Sequence, residues 1–220
     1  MFGKNRKLKP EYSNGKVLKV HSIFKTFQGE GPYVGYPSIF IRLSGCNLAC
    51  SFCDTEFDSY KEMTLEDIIE NVNALHSSNN KPLIVITGGE PMRQNISLLS
   101  RELIDRDYKI QVESNGTLIC SDLPREVEIV CSPKITNGKY RNIRADVLER
   151  VIAIKFIVSA NNSEYGDIGN VGQDKLPVYI QPMDEYNQEK NRRNLELAME
   201  LCHKHGAILC LQTHKMIGIE

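Results

Sequence analysis

Three closely spaced cysteines are the first feature of this sequence that could do chemistry. Cys46, Cys50 and Cys53 lie in the stretch SGCNLACSFCDTEF, residues 44–57. Thiolates bind zinc or iron–sulfur clusters, and this spacing lets a single loop surround one compact metal centre. No fourth cysteine lies beside them in the sequence. A four-iron cluster held by three thiolates would therefore keep one iron open to another ligand.

A structural zinc site is the alternative interpretation of the same three cysteines. It would need a distant fourth ligand, and the candidates are Cys120, Cys131 and His214. Zinc sites usually pair their cysteines in two separate knuckles, which disfavours this interpretation. The four scattered cysteines are instead interpreted as small buried side chains: Cys120, Cys131, Cys202 and Cys210.

The composition places limits on the class of protein. The chain has 220 residues, of which 41% are hydrophobic and 25% charged, as is typical of a soluble globular protein. A net charge of −1 offers no electrostatic reason to expect broad nucleic-acid or membrane binding. Residues 1–16 are basic and contain no apolar run, so they are interpreted as a solvated tail. Seven unevenly crowded cysteines favour a reducing, cytoplasmic setting over a disulfide framework.

Short apolar runs rich in β-branched residues predict strands that are buried on both faces of a sheet. They cover residues 17–24, 38–43, 83–87, 109–113, 127–131, 152–158, 177–181 and 207–212. Three helices are predicted between strands. The first begins at Thr64 with Asp67 three residues on, as in a capping box. The second covers 95–107, and the third covers 191–206 and ends at Gly206. The apolar stripe of the third helix is predicted to comprise Leu195, Ala198, Met199 and Cys202.

The order of these elements predicts the fold. Strand–helix–strand alternation implies a parallel sheet with right-handed crossovers. The connections 114–126 and 159–176 lack helical patterns, so the prediction is a single α/β domain, an incomplete and helix-poor barrel over 17–220. In such folds ligands bind at the carboxyl ends of the strands. Seven predicted strands are followed there by glycine-rich or polar segments: TFQGEGP, the cysteine loop, GGEP, SNG, SPK, QPMD and THK.

The cysteine loop and TGGEP, residues 87–91, together resemble the two signatures of the radical S-adenosylmethionine (SAM) superfamily. Gly88 and Gly89 are predicted to lack side chains so that the backbone can approach a ligand closely; a plain turn is the alternative. Within that superfamily the sequence resembles the 7-carboxy-7-deazaguanine synthase family. The resembling segments are 27–55, 87–91, 132–134, 181–184 and 211–220.

The resemblance implies a helix-poor radical SAM barrel and a particular reaction. A reduced [4Fe-4S] cluster cleaves SAM to a 5′-deoxyadenosyl radical, which takes hydrogen from C6 of 6-carboxy-5,6,7,8-tetrahydropterin. The ring contracts, ammonia leaves, and 7-carboxy-7-deazaguanine forms with the help of Mg²⁺, in the route to 7-deazapurines such as queuosine. The implied partners are a flavodoxin- or ferredoxin-type reductant and a second copy of the chain in a homodimer.

The resemblance also implies a role for individual residues. Cys46, Cys50 and Cys53 hold the cluster, Phe52 shields it, and Thr55 binds Mg²⁺. The residues that contact SAM are Gly89, Glu90, Ser132, Pro133, Lys134, Gln181, Pro182, Met183 and Asp184. The residues that contact the pterin are Phe27, Gln28, Gly29, Glu30, Arg42, Thr87, His214 and Glu220. Position alone adds Glu113, Ser114 and Asn115 to the candidates for SAM binding.

Several of these residues have ordinary alternatives. Thr55 could cap a helix, Arg42 could be a surface side chain at a strand end, and His214 could be structural. Glu220 is predicted at the catalytic mouth because no helix is expected after the last strand, but relatives often end in Pro, and a frayed end is the alternative.

Two other functions remain open from the sequence. A radical SAM activase, which places a glycyl radical on a partner protein, would share the cysteine spacing but would not need QGEG or Thr55. An electron-transfer or structural metal protein would need a fourth ligand close in sequence.

Overall fold

The computed structural model describes residues 5–76, 80–136, 138–169 and 176–219. Its strands are β1 (Val17–Phe27), β2 (Pro37–Leu43), β3 (Lys61–Thr64), β4 (Leu83–Gly88), β5 (Ile110–Ser114), β6 (Glu128–Cys131), β7 (Ile135–Thr136), β8 (Lys139–Tyr140), β9 (Val151–Val158), β10 (Val178–Pro182) and β11 (Ile208–Leu209). Its helices are α1 (Leu65–Ala74), α2 (Ser97–Ile104), α3 (Ala145–Leu148), α4 (Gln188–His205) and α5 (Thr213–Met216). The predicted class, a helix-poor α/β fold, is confirmed, and a strand lies in each of the eight predicted segments.

The described chain divides into two compact units. The first contains the described residues of 1–28, 35–114 and 118–129, and the second contains those of 29–34, 115–117 and 130–220. In the first unit the strands are ordered β3–β1–β2–β4–β5, and in the second β9–β10–β11. Strands β2, β4 and β5 run parallel, as do β9, β10 and β11, in agreement with the prediction. The predicted domain boundary at residue 17 stays a prediction.

The parallel strands owe their burial to the apolar runs seen in the sequence. In β4 the first four residues, Leu83–Ile86, are buried, and in β2 Ile39 and Ile41 are fully buried. In the second unit Val158 of β9 and Ile180 of β10 pack against Ala198 and Leu201 of α4. In each unit the apolar faces of the strands are therefore buried, and polar groups lie at the strand ends.

The direction of β1 differs from the prediction of a parallel sheet. It pairs antiparallel with β2, so that Phe27 lies opposite Pro37 and Val20 opposite Leu43. The physical reason is the connection, residues 28–36, which is shorter than the dozen or more residues that a parallel crossover requires. The QGEG segment follows the end of β1. That end lies at the edge of the sheet where β2 and β4 begin, not at the edge where they end. Strand β3, which the sequence did not predict, also pairs antiparallel with β1.

Helix α1 begins as predicted. Thr64 accepts a hydrogen bond from the Asp67 backbone N–H at 3.1 Å, and the Asp67 carboxylate accepts from the Thr64 backbone N–H at 2.9 Å. This reciprocal pair satisfies two donors at the helix start. Ile68, Ile69 and Val72 form the buried face.

The buried stripe of α4 was predicted only in part. Ala198 is buried, but Met199 is 47% exposed, whereas Asn194 and Leu201 are buried. Asn194 takes an inner position because its side chain bonds loop groups: it donates to the Met183 carbonyl at 2.8 Å and accepts from the Ala160 N–H at 2.8 Å. Apolar periodicity cannot reveal a buried polar residue of this kind. The predicted end at Gly206 is confirmed, with a left-handed φ of 63°.

The described parts of the long connections contain little helix, and one short helix follows the last strand. Residues 115–127 contain no helix, and in the described residues 159–169 there is only a 3-10 turn, Ser163–Tyr165, so those connections are helix-poor as predicted. The expectation that no helix follows the last strand is wrong, because α5 forms one turn there. Glu220 lies outside the described residues. Over the described ranges, no helix is long and apolar enough to cross a membrane.

Candidate active site

The three cysteines lie on one loop of the first unit, directly after β2. Cys46 is 9% exposed, Cys50 and Cys53 are half-buried, and all three pack with Leu48 and Phe57. A hydrogen bond from the Gly45 N–H to the Phe57 carbonyl, at 3.3 Å, closes the loop at its ends. Phe57, rather than the half-buried Phe52, is the aromatic side chain buried beside the thiols.

The environment of Cys46 favours its neutral thiol when no cation is present. Burial raises its pKa, and the charges of Glu90, Cys50 and Cys53 add to this, to about 12. A hydrogen bond from the Leu48 N–H to the Cys46 Sγ acts in the opposite direction. Ionisation of the Cys46 thiol therefore requires a bound cation, whose charge compensates for the desolvation of the thiolate.

The two glycines of TGGEP are explained by contacts within the first unit. A Cβ on Gly88 would overlap the backbone of Leu43, and one on Gly89 would lie 2.7 Å from the Cys46 Cβ and closer still to the Gly45 carbonyl oxygen. Both glycines were predicted to permit close approach of a ligand, with a plain turn as the alternative. The structure gives a nearer reason: the cysteine loop and the end of β2 already occupy the space where side chains would be.

Glu90 and Ser114 form a buried pair next to the cysteine loop. Glu90 is fully buried, and its carboxylate accepts from the Ser114 Oγ at 3.0 Å and from the Met92 N–H at 3.2 Å. The Glu90 N–H donates to the Gly45 carbonyl at 3.0 Å. Both predicted SAM contacts thus lie together in the first unit, and Glu90 also holds the cysteine loop.

A row of polar side chains lies across the strands of the first unit. Arg42 of β2 is in register with Thr87 of β4, and its guanidinium lies 5.1 Å from the centroid of the Phe24 ring. On β5 the fully buried Gln111 donates to the Glu113 carboxylate at 2.6 Å, and Gln28 donates to the same oxygen at 3.5 Å. Registered neighbours in parallel strands share a face, so Arg42 and Thr87 point to the same side of the sheet.

Two other predicted residues of the first unit lie at its surface. Phe27 is 48% exposed. The Thr55 hydroxyl donates to the Asp54 carboxylate at 3.3 Å. No helix begins at Thr55 in the described residues around it, so the helix-cap alternative is wrong.

In the second unit, Glu30 is the centre of a hydrogen-bond cluster. Its Oε1 accepts from Gln212 at 2.8 Å and from Gln181 at 3.2 Å, and its Oε2 accepts from the Lys155 ammonium group. Burial opposes ionisation, but the charge and hydrogen bond of Lys155 prevail and lower the Glu30 pKa to about 2. Glu30 is therefore an anion throughout the physiological pH range.

Gly29 and His214, far apart in the chain, meet in the second unit. A Cβ on Gly29 would lie 2.7 Å from the His214 Cγ, so the imidazole packs directly on the glycine backbone. The Thr213 N–H and hydroxyl both donate to the Gly29 carbonyl at 3.1 Å. Two predicted substrate contacts, at Gly29 and His214, are thereby brought beside Glu30.

The remaining predicted SAM contacts also lie in the second unit, mostly buried. Lys134 donates to the Ser132 hydroxyl at 2.6 Å and its carbonyl at 2.8 Å, beside the buried Pro133. Asp184 accepts from Lys215 at 3.1 Å and from Asn191 at 2.8 Å. Pro182 is half-buried and Met183 is buried. The Asn115 side chain is engaged locally, because it accepts from the Thr117 N–H at 3.0 Å.

Several residues that contact the predicted site residues were not predicted from the sequence: Arg93 and Gln111 in the first unit, and Lys155 and Gln212 in the second. A signal existed for Lys155, which stands in the apolar run IAIKFIV (152–158) and is 5% exposed. A charged residue in a buried strand needs a partner, and so predicts a buried acid elsewhere.

The first unit fits an iron–sulfur cluster by its donor chemistry. One loop supplies three thiols, apolar side chains lie behind them, and Gly89 leaves no side chain against Cys46. Over the described ranges no three His, Cys, Asp or Glu side chains are grouped so that they could hold a single metal ion. All seven cysteines are within those ranges, and none forms a disulfide.

Comparison with known proteins identifies the class. The family model for the Radical SAM superfamily matches residues 40–153, which include the cysteine loop and TGGEP. A crystal structure of QueE from Escherichia coli has the same fold, with a TM-score of 0.69 and 23% identity over 89% of this chain and 93% of that one. The protein is thus a member of the radical SAM superfamily.

Curated relatives identify the family within that class. The chain is 53% identical to the 7-carboxy-7-deazaguanine synthase of Rickettsia prowazekii (strain Madrid E), over 100% of this chain and 96% of the relative. It is 33% identical to the 7-carboxy-7-deazaguanine synthase of Rhodospirillum rubrum over the whole of both chains. The chain belongs to the 7-carboxy-7-deazaguanine synthase family.

Proposed function

We propose that this protein converts 6-carboxy-5,6,7,8-tetrahydropterin to 7-carboxy-7-deazaguanine with loss of ammonia, as a radical SAM enzyme. The observation that carries the proposal is a loop with three thiols whose first cysteine, Cys46, lies against the Gly89 backbone, next to the Glu90–Ser114 pair. The product is proposed from the name of the relative that is 53% identical over the full chain, and the pterin substrate from the resemblance to that family.

Cys46, Cys50 and Cys53 would hold the [4Fe-4S] cluster, which supplies the electron that cleaves SAM when both are bound. The apolar wall of Leu48 and Phe57 excludes water from the inner side of the loop. The backbone at Gly89 and the hydroxyl of Ser114 are proposed to meet the amino acid portion of SAM. Glu90 holds Ser114 in place through its buried carboxylate.

Glu30 is proposed to recognise the pterin ring by accepting hydrogen bonds from its N–H groups. Its low pKa keeps it an acceptor, and the bonds from Lys155, Gln181 and Gln212 hold its carboxylate in place. Gly29 allows His214 to pack close to Glu30. This arrangement supports the assignment of Gly29, Glu30 and His214 to substrate binding.

Arg42 is proposed to bind the substrate carboxylate, with Thr87 beside it. A guanidinium presents a planar fork of donors that matches the two oxygens of a carboxylate. The Arg42 guanidinium lies over the Phe24 ring, which supports its placement on the same side of the sheet as Thr87. Gln28 and Glu113, which meet on the same unit, would add polar contacts.

Other parts of the proposal rest on the family alone. Thr55 is proposed as a Mg²⁺ ligand, since its hydroxyl and the neighbouring Asp54 carboxylate are hard oxygen donors. A flavodoxin- or ferredoxin-type protein is the proposed reductant, a homodimer the proposed assembly, and the cytoplasm the proposed location. The proposed fate of the product is the synthesis of 7-deazapurines such as queuosine.

Anaerobic reconstitution with iron and sulfide, followed by product analysis, tests the proposal. The protein should bind about four irons per chain and convert the pterin when given SAM, Mg²⁺ and dithionite, with no partner protein present. Cys50→Ala should lose the cluster absorbance and the activity, while the control Cys202→Ala, on α4 in the second unit, should keep both. A Cys50→Ala variant that retains a full cluster and cleaves SAM would refute the assignment. Activity that requires a protein substrate would favour an activase.

A further inference from the structure

The segment before β1 contacts the cysteine loop, although the sequence suggested a solvated tail. Most side chains of residues 6–14 are exposed, but the Leu8 N–H donates to the Cys46 carbonyl at 2.7 Å, and Lys7 forms a β-bridge with Cys46. We refer to residues 5–11 as the strap. Its backbone thus binds the first of the three cysteines.

A buried arginine anchors the strap. Arg93, 2% exposed, lies two residues after the GGEP motif, and its guanidinium donates to the Lys9 carbonyl at 3.1 Å and to Glu11 at 2.8 Å. The same guanidinium donates to the Ser44 carbonyl at 3.0 Å, and the Glu11 N–H donates to the Arg93 carbonyl at 2.7 Å. One side chain therefore ties the strap, the GGEP turn and the start of the cysteine loop together.

The strap brings one side chain to a thiol. The Asn5 amide Nδ2 donates to the Cys53 Sγ at 3.3 Å and to the Thr55 carbonyl at 3.0 Å. An amide nitrogen has two hydrogens, so both bonds form at once. The bond to Thr55 fixes the amide orientation, because the reversed amide would place its oxygen against the Thr55 carbonyl.

We propose that the strap holds Asn5 as a positioning residue for the cluster, and that its hydrogen bond to the Cys53 sulfur raises the cluster's reduction potential. The inference rests on the proposed function, because it requires a cluster on these thiolates. Hydrogen bonds to ligand sulfurs are one of the factors that set iron–sulfur potentials. A donor withdraws electron density from the thiolate and so favours the reduced cluster, which carries one more negative charge.

A potentiometric titration of the reconstituted full-length protein, followed by visible and electron paramagnetic resonance spectra without SAM, measures this effect. Asn5→Ala should retain its iron and show a lower midpoint potential. The equilibrium constant for one-electron reduction should fall about threefold to tenfold, which is about 30–60 mV at 59 mV per tenfold change. The control Tyr12→Ala, just beyond the strap and with a fully exposed side chain, should titrate like the wild type.

If Asn5→Ala fails to take up iron, a second variant still tests the inference. Glu11→Gln leaves Asn5 and the thiols unchanged but weakens the anchor to Arg93 and Lys19. It should shift the potential in the same direction by a smaller amount. An unchanged midpoint in every iron-loaded variant of Asn5 and Glu11 would overturn the inference and leave the proposed function intact. Failure of the wild type to bind a cluster would overturn both.

Discussion

Removal of the Lys155 ammonium group should destabilise the second unit, because Glu30 would then be a buried anion without its cation. The two side chains are 6% and 16% exposed, so solvent screens them little. Burial alone would raise the Glu30 pKa, yet it falls from its ordinary 4.5 to about 2, chiefly through Lys155. At about 1.4 kcal/mol per tenfold change in the protonation equilibrium, this difference corresponds to about 3 kcal/mol.

The perturbation is Lys155→Met, which removes the charge and keeps an unbranched apolar side chain. We expect its free energy of unfolding at pH 7 to be about 3 kcal/mol below that of the wild type, near the lower end of the range for breaking a buried pair. Urea unfolding followed by far-ultraviolet circular dichroism measures the difference. The matched control is Lys139→Met, an exposed lysine of the same unit, which should change stability by less than about 0.5 kcal/mol.

The stability difference between the wild type and Lys155→Met should depend on pH in a definite direction. The folded-state pKa of Glu30 lies below its unfolded value, so the ionised side chain contributes stability above pH 4.5 and loses that contribution as the pH falls toward 2. The gap between wild type and Lys155→Met should therefore shrink as the pH falls, beginning at the raised pKa that burial gives Glu30 in the variant and continuing toward pH 2. In the Glu30→Gln background the same substitution should cost less by about 2 kcal/mol.

Two results would refute this reasoning. One is a Lys155→Met variant as stable as the Lys139→Met control at pH 7. The other is a stability gap that widens as the pH falls, which would mean that Lys155 does not act through the ionised Glu30.

Two further substitutions test the first unit. Arg42→Lys should lower kcat/KM for the pterin by the equivalent of about 1.5–3 kcal/mol, because a point charge cannot form two parallel hydrogen bonds to a carboxylate; steady-state kinetics equal to the wild type would return Arg42 to a surface role. Gly89→Ala should lower the free energy of unfolding by about 1–3 kcal/mol and reduce bound iron, since its Cβ would overlap Gly45 and Cys46. Its control is Gly166→Ala, where a Cβ would lie at an ordinary 3.4 Å from the Ser163 carbonyl oxygen; equal effects of the two alanines on urea unfolding would contradict the overlap argument.

Several features of the fold could be read from the sequence because they depend on neighbouring residues. The capping box of Thr64 and Asp67 spans one helical turn, and Gly206 ends α4 through its own backbone conformation. The parallel strands were predictable because short, continuous apolar runs are typical of strands buried on both faces. The antiparallel direction of β1 was missed, although the length of the 28–36 connection already implied it.

The candidate site was predictable where its chemistry is local. Three cysteines within one loop bring their own ligands together, and TGGEP follows directly from a buried strand. The reason for the glycines was not predictable, because it depends on the cysteine loop packing against the end of β4. The role of residues 5–11 was also missed, since exposed basic residues carry no pattern that predicts a backbone contact to Cys46.

The sequence by itself determined the class of chemistry, because the spacing of Cys46, Cys50 and Cys53 is a short-range property of the chain. Only the tertiary structure decided which groups set the pKa of Glu30 and the hydrogen bonding of the Cys53 sulfur. Glu30 and Lys155 are 125 positions apart, and Asn5 and Cys53 are 48 positions apart. The physical reason is that a buried charge or a thiol takes its properties from whatever the fold places within a few ångströms, and separation along the chain does not specify those neighbours.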